Sequence, residues 1–369
     1  MTLAPPSNSQ ELERRAEALS RWFQAQAPML GAGPAQPVLQ PVSGDASFRR
    51  YFRGWTRQRS WILMDAPPAR ENSESFVRIA AALATGGVAV PTVHAADLTQ
   101  GFLCLDDLGD NSYWSMLDAA QRGAGGDPDA DALYQDAFAQ LLRIQRCSAV
   151  AAGLPDYDAA MLLRELRLFS EWFCAGLLRV PLDVTEHALV EDAFAFLVQA
   201  ALAQPRVFVH RDYHSRNLMY RAGQEPGILD FQDAVRGPLS YDLVSLLKDC
   251  YIAWPREQVN AWALTYAEQA RAAGLAGGLE PDSFLRGFDL MGAQRHLKVL
   301  GIFSRLWLRD GKAGYLRDMP LTLRYLLAVV GEHAALRAFA DWLQIRIVPR
   351  LDEALERQAA NPHSGGVPA

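Results

Sequence analysis

The chain has 369 residues, 50% of them hydrophobic and 21% charged, a composition that supports a well-filled core and excludes a chain that is disordered throughout. A formal net charge of −6 provides no global positive field for a nucleic acid or an anionic membrane surface, so neither is expected as a partner. The cysteines Cys104, Cys147, Cys174 and Cys250 stand far apart with no CxxC pair, which excludes a readable zinc or redox pair and suits reduced thiols.

The amino terminus has no apolar signal segment, and no run reaches the roughly 18 apolar residues of a membrane span, so a cytoplasmic protein is expected. Residues 10 to 27 carry Leu12, Ala16, Leu19, Trp22 and Phe23 at helical spacing, and a Gly/Pro-rich stretch from Gly31 to Pro37 ends the pattern. The runs VLQPV, FRRYFRGW and WILMD, separated by the turns SGDAS and TRQRS, predict a three-stranded antiparallel meander over 38 to 65. Ser73 is expected to cap a helix from Glu74 to about Ala84, with Gly86 and Gly87 as its stop. Two further strands, VPTVHAAD and GFLCLDDLGD, complete an order of three strands, one helix and two strands. Helical periodicity dominates the rest, interrupted by RVFVH, NLMY and GILD, three short β-type runs between residues 206 and 230. The segment from Gly123 to Asp131 reads as a surface loop, and 361–369 as a disordered tail.

Those short runs enclose the chemistry. His210-Arg211-Asp212 leads to Asn217, and Asp230-Phe231 follows thirteen residues later, giving the H-x-D-x-x-x-x-N plus D-F form of a phosphotransferase site. Asp212 is the candidate general base for an acceptor hydroxyl. Asn217 and Asp230 offer the hard oxygen donors that Mg²⁺ prefers, which makes them the candidate metal ligands. His210 reads as a brace for the loop rather than a proton carrier.

Through VHRDYHSRNLMY and GILDFQDAVRGPLSYDLVSLL the sequence resembles the aminoglycoside phosphotransferase and choline kinase superfamily. The resemblance implies an α+β, protein-kinase-like bilobal fold. Its N-lobe, residues 1–105, would be a small antiparallel sheet with one main helix, and a mostly helical C-lobe would span 106–360. It also implies ATP and Mg²⁺ as cofactors, and a structural Asp242 in the Tyr241-Asp242 pair. A protein kinase is disfavoured, because no G-x-G-x-x-G, no V-A-I-K and no A-P-E segment is present and only seven residues separate Asp233 from Tyr241. Longer stretches, SGDASFRRYFR, WILMDAPP, GFLCLDDLG and QRHLKVLGIFSRLWLRDGK, are similar to those of the bacterial N-acetylmuramate/N-acetylglucosamine anomeric kinases. That family implies phosphorylation of the sugar at its C1 hydroxyl in peptidoglycan recycling.

One departure from the wider kinase pattern is physical: the third strand, Trp61 to Asp65, has no lysine for the nucleotide phosphates. Arg49 and Arg50 point to opposite faces of their strand, and Arg50 is the favoured substitute, with solvated edge charges as the competing reading. The turn holding Ser43, Gly44, Ala46 and Ser47 is the candidate phosphate cradle. By resemblance, Asp106 to Leu108 would present backbone groups to adenine. On the substrate side Asp233, Arg295 and Lys298 are candidates, the two cations because muramate carries a carboxylate. The competing functions are another small-molecule kinase of the superfamily, such as an aminoglycoside kinase, and a nucleotide-binding protein without turnover.

Overall fold

The computed structural model describes residues 8–31, 33–34, 36, 38–42, 48–122 and 129–360. The expected phosphate turn, most of the Gly123–Asp131 loop and the 361–369 tail lie outside them. The chain divides into two compact units, the first formed by Met1–Asn111 with Met219–Gln232 and the second by Ser112–Leu218 with Asp233–Ala369. The expected lobe boundary after residue 105 therefore differs in two ways. The first unit continues to Asn111, and it takes in a later ribbon that is hydrogen-bonded to it through Tyr220 N to Asn111 O (2.7 Å) and Ile228 N to Ala89 O (2.8 Å).

In the first unit, helix α1 (Asn8–Gln26) precedes strands β1 (Gln40–Pro41), β2 (Arg50–Trp55) and β3 (Ser60–Asp65), then helix α2 (Ser73–Thr85) and strands β4 (Val93–Asp97) and β5 (Phe102–Asp106). The antiparallel sheet has the order β1-β2-β3-β5-β4, with Arg50 opposite Asp65 and Trp61 opposite Asp106. Alternation along β2 and β3 puts Phe52, Trp61 and Leu63 on one face, where Leu19 and Phe23 of α1 close the core with Phe102 and Cys104. Gly54 permits that approach, since a Cβ there would lie 2.8 Å from the Phe23 ring. Gly101, at φ +74°, turns the chain between β4 and β5 where a Cβ would sit 1.8 Å from the Ala66 carbonyl. The cap of α2 is Asn72, not Ser73: Asn72 has extended backbone and its side chain accepts from Ser75 N, so Ser73 becomes the first helical residue and its hydroxyl is buried.

The second unit begins with α3 (Tyr113–Gln121), α4 (Ala130–Arg146) and α5 (Ala159–Leu168), the last continuing as π-type turns over Phe169–Leu177, and then α6 (Val184–Leu202). Aspartates cap three of these helices, Asp129, Asp158 and Asp183, the last in a full capping box with Glu186. The chain then forms β6 (Arg206–Val209), and β7 (Leu218–Met219) and β8 (Gly227–Ile228) pair as a ribbon. Strand β9 (Val235–Pro238) pairs antiparallel with β6. Next come α7 (Tyr241–Leu247), α8 (Arg256–Ala272), α9 (Pro281–Asp310), a 3₁₀ segment Ala313–Asp318, α10 (Met319–Val330), α11 (Arg337–Trp342) and α12 (Val348–Ala360). Helix α9 is the spine of this unit, buried along most of its 30 residues, entered through Pro281 and closed by Gly311 at φ +68°. At Gly301 it meets α5 so closely that a Cβ would lie 2.4 Å from the Leu168 backbone. Among the described residues no helix is long and apolar enough to cross a membrane.

Candidate active site

The polar motif occupies the loop that leaves β6. Val207, Phe208 and Val209 are buried and anchor that strand, so the following residues emerge from a fixed end. Two backbone donors of the loop, His210 N and Arg211 N, bond to the two oxygens of Asp242 at 2.7 and 2.9 Å. Asp242 is fully buried in the first turn of α7, and burial pushes its carboxyl up to about 7 against the pull of those two N–H groups. Arg211 sits at φ +79°, a left-handed conformation that a side-chain-bearing residue adopts only when its surroundings hold it there. Its guanidinium is ion-paired with Glu165 of α5 and donates to Asp233 O at 3.2 Å.

This clamp orients Asp212 and Asn217. Asp212 N donates to His210 Nδ1 at 3.2 Å, placing His210 as a brace inside the loop. Burial raises the Asp212 carboxyl, but Lys298, His214, Arg211 and Arg295 together hold it below the usual carboxylate range. The group is therefore a half-buried, ionised proton acceptor. Asn217 closes the loop with Nδ2 donating to Asp212 O at 2.9 Å, which identifies Oδ1 as the donor atom this side chain has for a metal. Ser215 ties the intervening turn to Asp249 through both its backbone N (3.0 Å) and its hydroxyl (2.5 Å).

Asp230 belongs to the first unit, on the ribbon that follows β8, at φ +64°. Its Oδ1 accepts from Gln232 Nε2 at 2.6 Å, and the adjoining Phe231 ring lies 4.8 Å from Phe76 of α2. A half-buried carboxylate so held fits a hard divalent cation by donor chemistry. Asp233 begins the next segment of the second unit with an exposed side chain, and its carbonyl receives the Arg211 bond.

In the first unit Arg50 is ion-paired with buried Asp65, which Arg15 of α1 engages on its other oxygen. Arg49 turns the other way to Glu71 at 2.7 Å. Asp106 ends β5 with its amide bonded to Thr92 O at 3.2 Å, and its carboxylate, raised by burial but lowered more by His94 and Thr92, accepts from both. Leu108 packs its side chain against Gly227, where a Cβ would meet it at 2.5 Å.

The two basic candidates on α9 are inward-facing. Lys298 Nζ donates to Tyr241 Oη at 2.9 Å and pairs with Glu165 at 3.2 Å; burial lowers its ammonium, yet Glu165 and Tyr241 hold it above the usual lysine range. Arg295 is buried with its guanidinium toward Cys250 Sγ at 3.8 Å. Sequence reasoning missed Glu165, which joins Tyr157, Arg211 and Lys298, and also Asp249. Glu165 lies far from the signature motif in the chain, Asp249 falls two residues past the GILDFQDAVRGPLSYDLVSLL stretch, and no local pattern marks either as part of the site.

Residues 38–280 match the model of the phosphotransferase enzyme family. A relative from Pseudomonas putida, named N-acetylmuramate/N-acetylglucosamine kinase, is 45% identical over 82% of this chain and 86% of its own length. Relatives of the same name from Pseudomonas aeruginosa and Neisseria meningitidis are 44% and 42% identical, covering 90% and 80% of this chain and 96% and 86% of their own lengths. Among solved structures, an ethanolamine kinase from Plasmodium vivax superposes with a TM-score of 0.59 at 9% identity, over 88% of this chain and 90% of that one. The GDP complex of aminoglycoside 2'-phosphotransferase-IIIa gives 0.56 at 13% identity, over 84% and 99%. At those identities the structural likenesses establish the kinase-like α+β fold alone.

Proposed function

The chain belongs to the N-acetylmuramate/N-acetylglucosamine kinases of the phosphotransferase enzyme family, and from that membership we propose that it transfers the γ-phosphoryl group of ATP to the C1 hydroxyl of these two amino sugars. The observation that carries the reading is Asp212: a half-buried carboxylate kept ionised by surrounding cations, on a loop whose backbone is clamped by Asp242. Asp212 accepts the proton of the C1 hydroxyl as its oxygen attacks phosphorus, and the loop clamp keeps the carboxylate on that line of approach. Asn217 through Oδ1 and Asp230 through its carboxylate are the proposed ligands of Mg²⁺. Held by these two residues, Mg²⁺ would supply neutralisation of the phosphate charge.

On the nucleotide side the proposed contacts are the turn at Ser43, Gly44, Ala46 and Ser47, the hinge residues Asp106 and Leu108, and Arg50. Arg50 would have to exchange its partner Asp65 for phosphate, and Arg15 stays on Asp65 to compensate that carboxylate. Asp233 is the proposed hydrogen-bond acceptor for sugar hydroxyls. The setting we propose is cytoplasmic salvage of cell-wall amino sugars.

The test is ADP release by the purified protein with Mg²⁺-ATP and N-acetylmuramate, N-acetylglucosamine or kanamycin, with the reducing end of the sugar assayed in parallel. Turnover on the two sugars with loss of the reducing end is expected. Asp212→Asn should lower kcat by roughly 10²–10⁴-fold, the usual range for a positioned general base. A product that keeps its reducing end, or turnover on kanamycin only, overturns the assignment.

A further inference from the structure

Of the two cations proposed for a substrate carboxylate, Lys298 is held by Tyr241 and Glu165, and Arg295 is buried with one long contact to Cys250 Sγ at 3.8 Å. A carboxylate-bearing acceptor needs a cation whose donors remain available, and Arg216 answers that description. It occupies the 3₁₀ turn Ser215–Asn217, next in sequence to the proposed metal ligand Asn217. Its guanidinium carbon lies over the ring of Tyr251, 3.5 Å from the centroid, and over that of Trp114 of α3, 5.1 Å from the centroid. No hydrogen bond or ion pair from a described residue reaches its nitrogens. Stacking fixes the plane of a guanidinium while leaving its in-plane N–H edge for a bidentate partner, a geometry that matches a carboxylate.

The surroundings are those of a place made for a polar ligand with an apolar face. Tyr251 continues into Phe303 of α9 at 6.4 Å and from there to Tyr315 at 5.0 Å. Three buried polar atoms on these same elements have no hydrogen-bond partner: Trp307 Nε1, one helical turn after Phe303, Asp318 Oδ2, and Nδ1 of His214, whose ring meets Tyr251 edge-on at 5.6 Å. Buried donors and acceptors left unpaired are costly and are normally satisfied by a ligand or by water. Of the acidic groups nearby, Asp249 is taken up by Ser215 and by Tyr251 N, and Asp318 interacts with Arg216 only through its field.

Resting on the proposed amino-sugar kinase reading, we propose that Arg216, held over the rings of Tyr251 and Trp114, is the specificity-determining residue that binds the lactyl carboxylate of N-acetylmuramate. N-acetylglucosamine lacks that group, so the two acceptors differ in the contact Arg216 makes.

The experiment measures kcat/KM for N-acetylmuramate, its lactyl methyl ester and N-acetylglucosamine on the wild type, Arg216→Met and Arg216→Lys. On the wild type the ester should fall below the free acid by roughly 10- to 100-fold, the range for losing a charge-assisted hydrogen-bonded contact. On Arg216→Met the acid and the ester should become equal, and the ratio of N-acetylmuramate to N-acetylglucosamine should fall by a similar factor. Arg216→Lys should recover part of the ratio. An Arg216→Met enzyme that loses both sugars in equal proportion overturns the proposal and reduces Arg216 to a support of the loop. A wild type that does not distinguish acid from ester overturns it too, without requiring any variant to fold. A wild type that phosphorylates both sugars leaves the functional reading standing in either case, whereas one that phosphorylates neither removes that reading and this proposal together.

Discussion

Glu165 is a single carboxylate set against two cations, half-buried Arg211 of the catalytic loop and buried Lys298 of α9, with the Tyr157 hydroxyl as its third partner. Burial raises its pKa, and the two cations and Tyr157 more than reverse that, so it is ionised in the folded protein. Removing one member of such a set strands the remaining charges out of water, which typically costs about 3–5 kcal/mol, whereas an exposed pair is worth at most about 1 kcal/mol. Glu165→Gln is therefore expected to lower the urea-unfolding free energy by roughly 3 kcal/mol. Glu353→Gln, which releases the exposed Arg350 on α12, should change it by less than about 1 kcal/mol. Equal losses in the two variants would show that the Glu165 cluster is no stronger than a surface pair. The same cluster explains how Arg211 is kept at φ +79°, since its side chain is held at one end by Glu165 and its backbone N at the other by Asp242.

At the level of elements, α9 contains a histidine that makes its stability depend on pH. His296 is fully buried, stacked on Tyr325 of α10 at a ring separation of 5.1 Å, with Nε2 at 3.2 Å from Lys248 O. Burial, followed by Arg295 and Lys248, pushes its pKa down to about 3. The folded value lies below the unfolded one, so the neutral ring contributes its full stability above about pH 6.5, and that contribution falls as pH drops toward 3, by up to about 1.4 kcal/mol per pH unit. His296→Gln should therefore lose less stability than the wild type between pH 7 and pH 5, read from urea midpoints, and parallel curves would exclude the assignment. The strands of the first unit were legible because alternation of apolar residues marks β2, β3 and β5 directly. Strand β9 was not: Val235-Arg236-Gly237-Pro238 has no strand pattern of its own and exists because β6 lies beside it. The cap of α2 shifted by one residue because Asn72 and Ser73 are both good caps and only the backbone angles choose between them. The site divides in the same way. Asp212, Asn217 and Asp242 lie in contiguous motifs and could be read, while Glu165, Asp249 and the stacking of Arg216 depend on partners 46, 34 and 35 residues away in the chain or further, which no local spacing encodes.

Across the whole molecule the four thiols form a natural set of reporters, one in the first unit and three in the second. Cys104 is buried in the sheet core, and burial pushes its thiol up to about 12, which removes the thiolate that would react. Cys174 and Cys250 are buried in the helical unit and are raised by the same cause, and Cys147, at the end of α4, is only half-buried. A disulfide reagent added to the native protein at neutral pH should therefore modify Cys147 first, and in strong denaturant all four should react at once. Each of the slow thiols becomes reactive only when its own surroundings open, and each unit has its own core. Two slow phases are expected, one for Cys104 and one shared by Cys174 and Cys250, resolved by mass spectrometry of peptides taken through the time course. Should all three buried thiols appear together at a single rate, the two units open as one cooperative body and the division into separately stable parts fails.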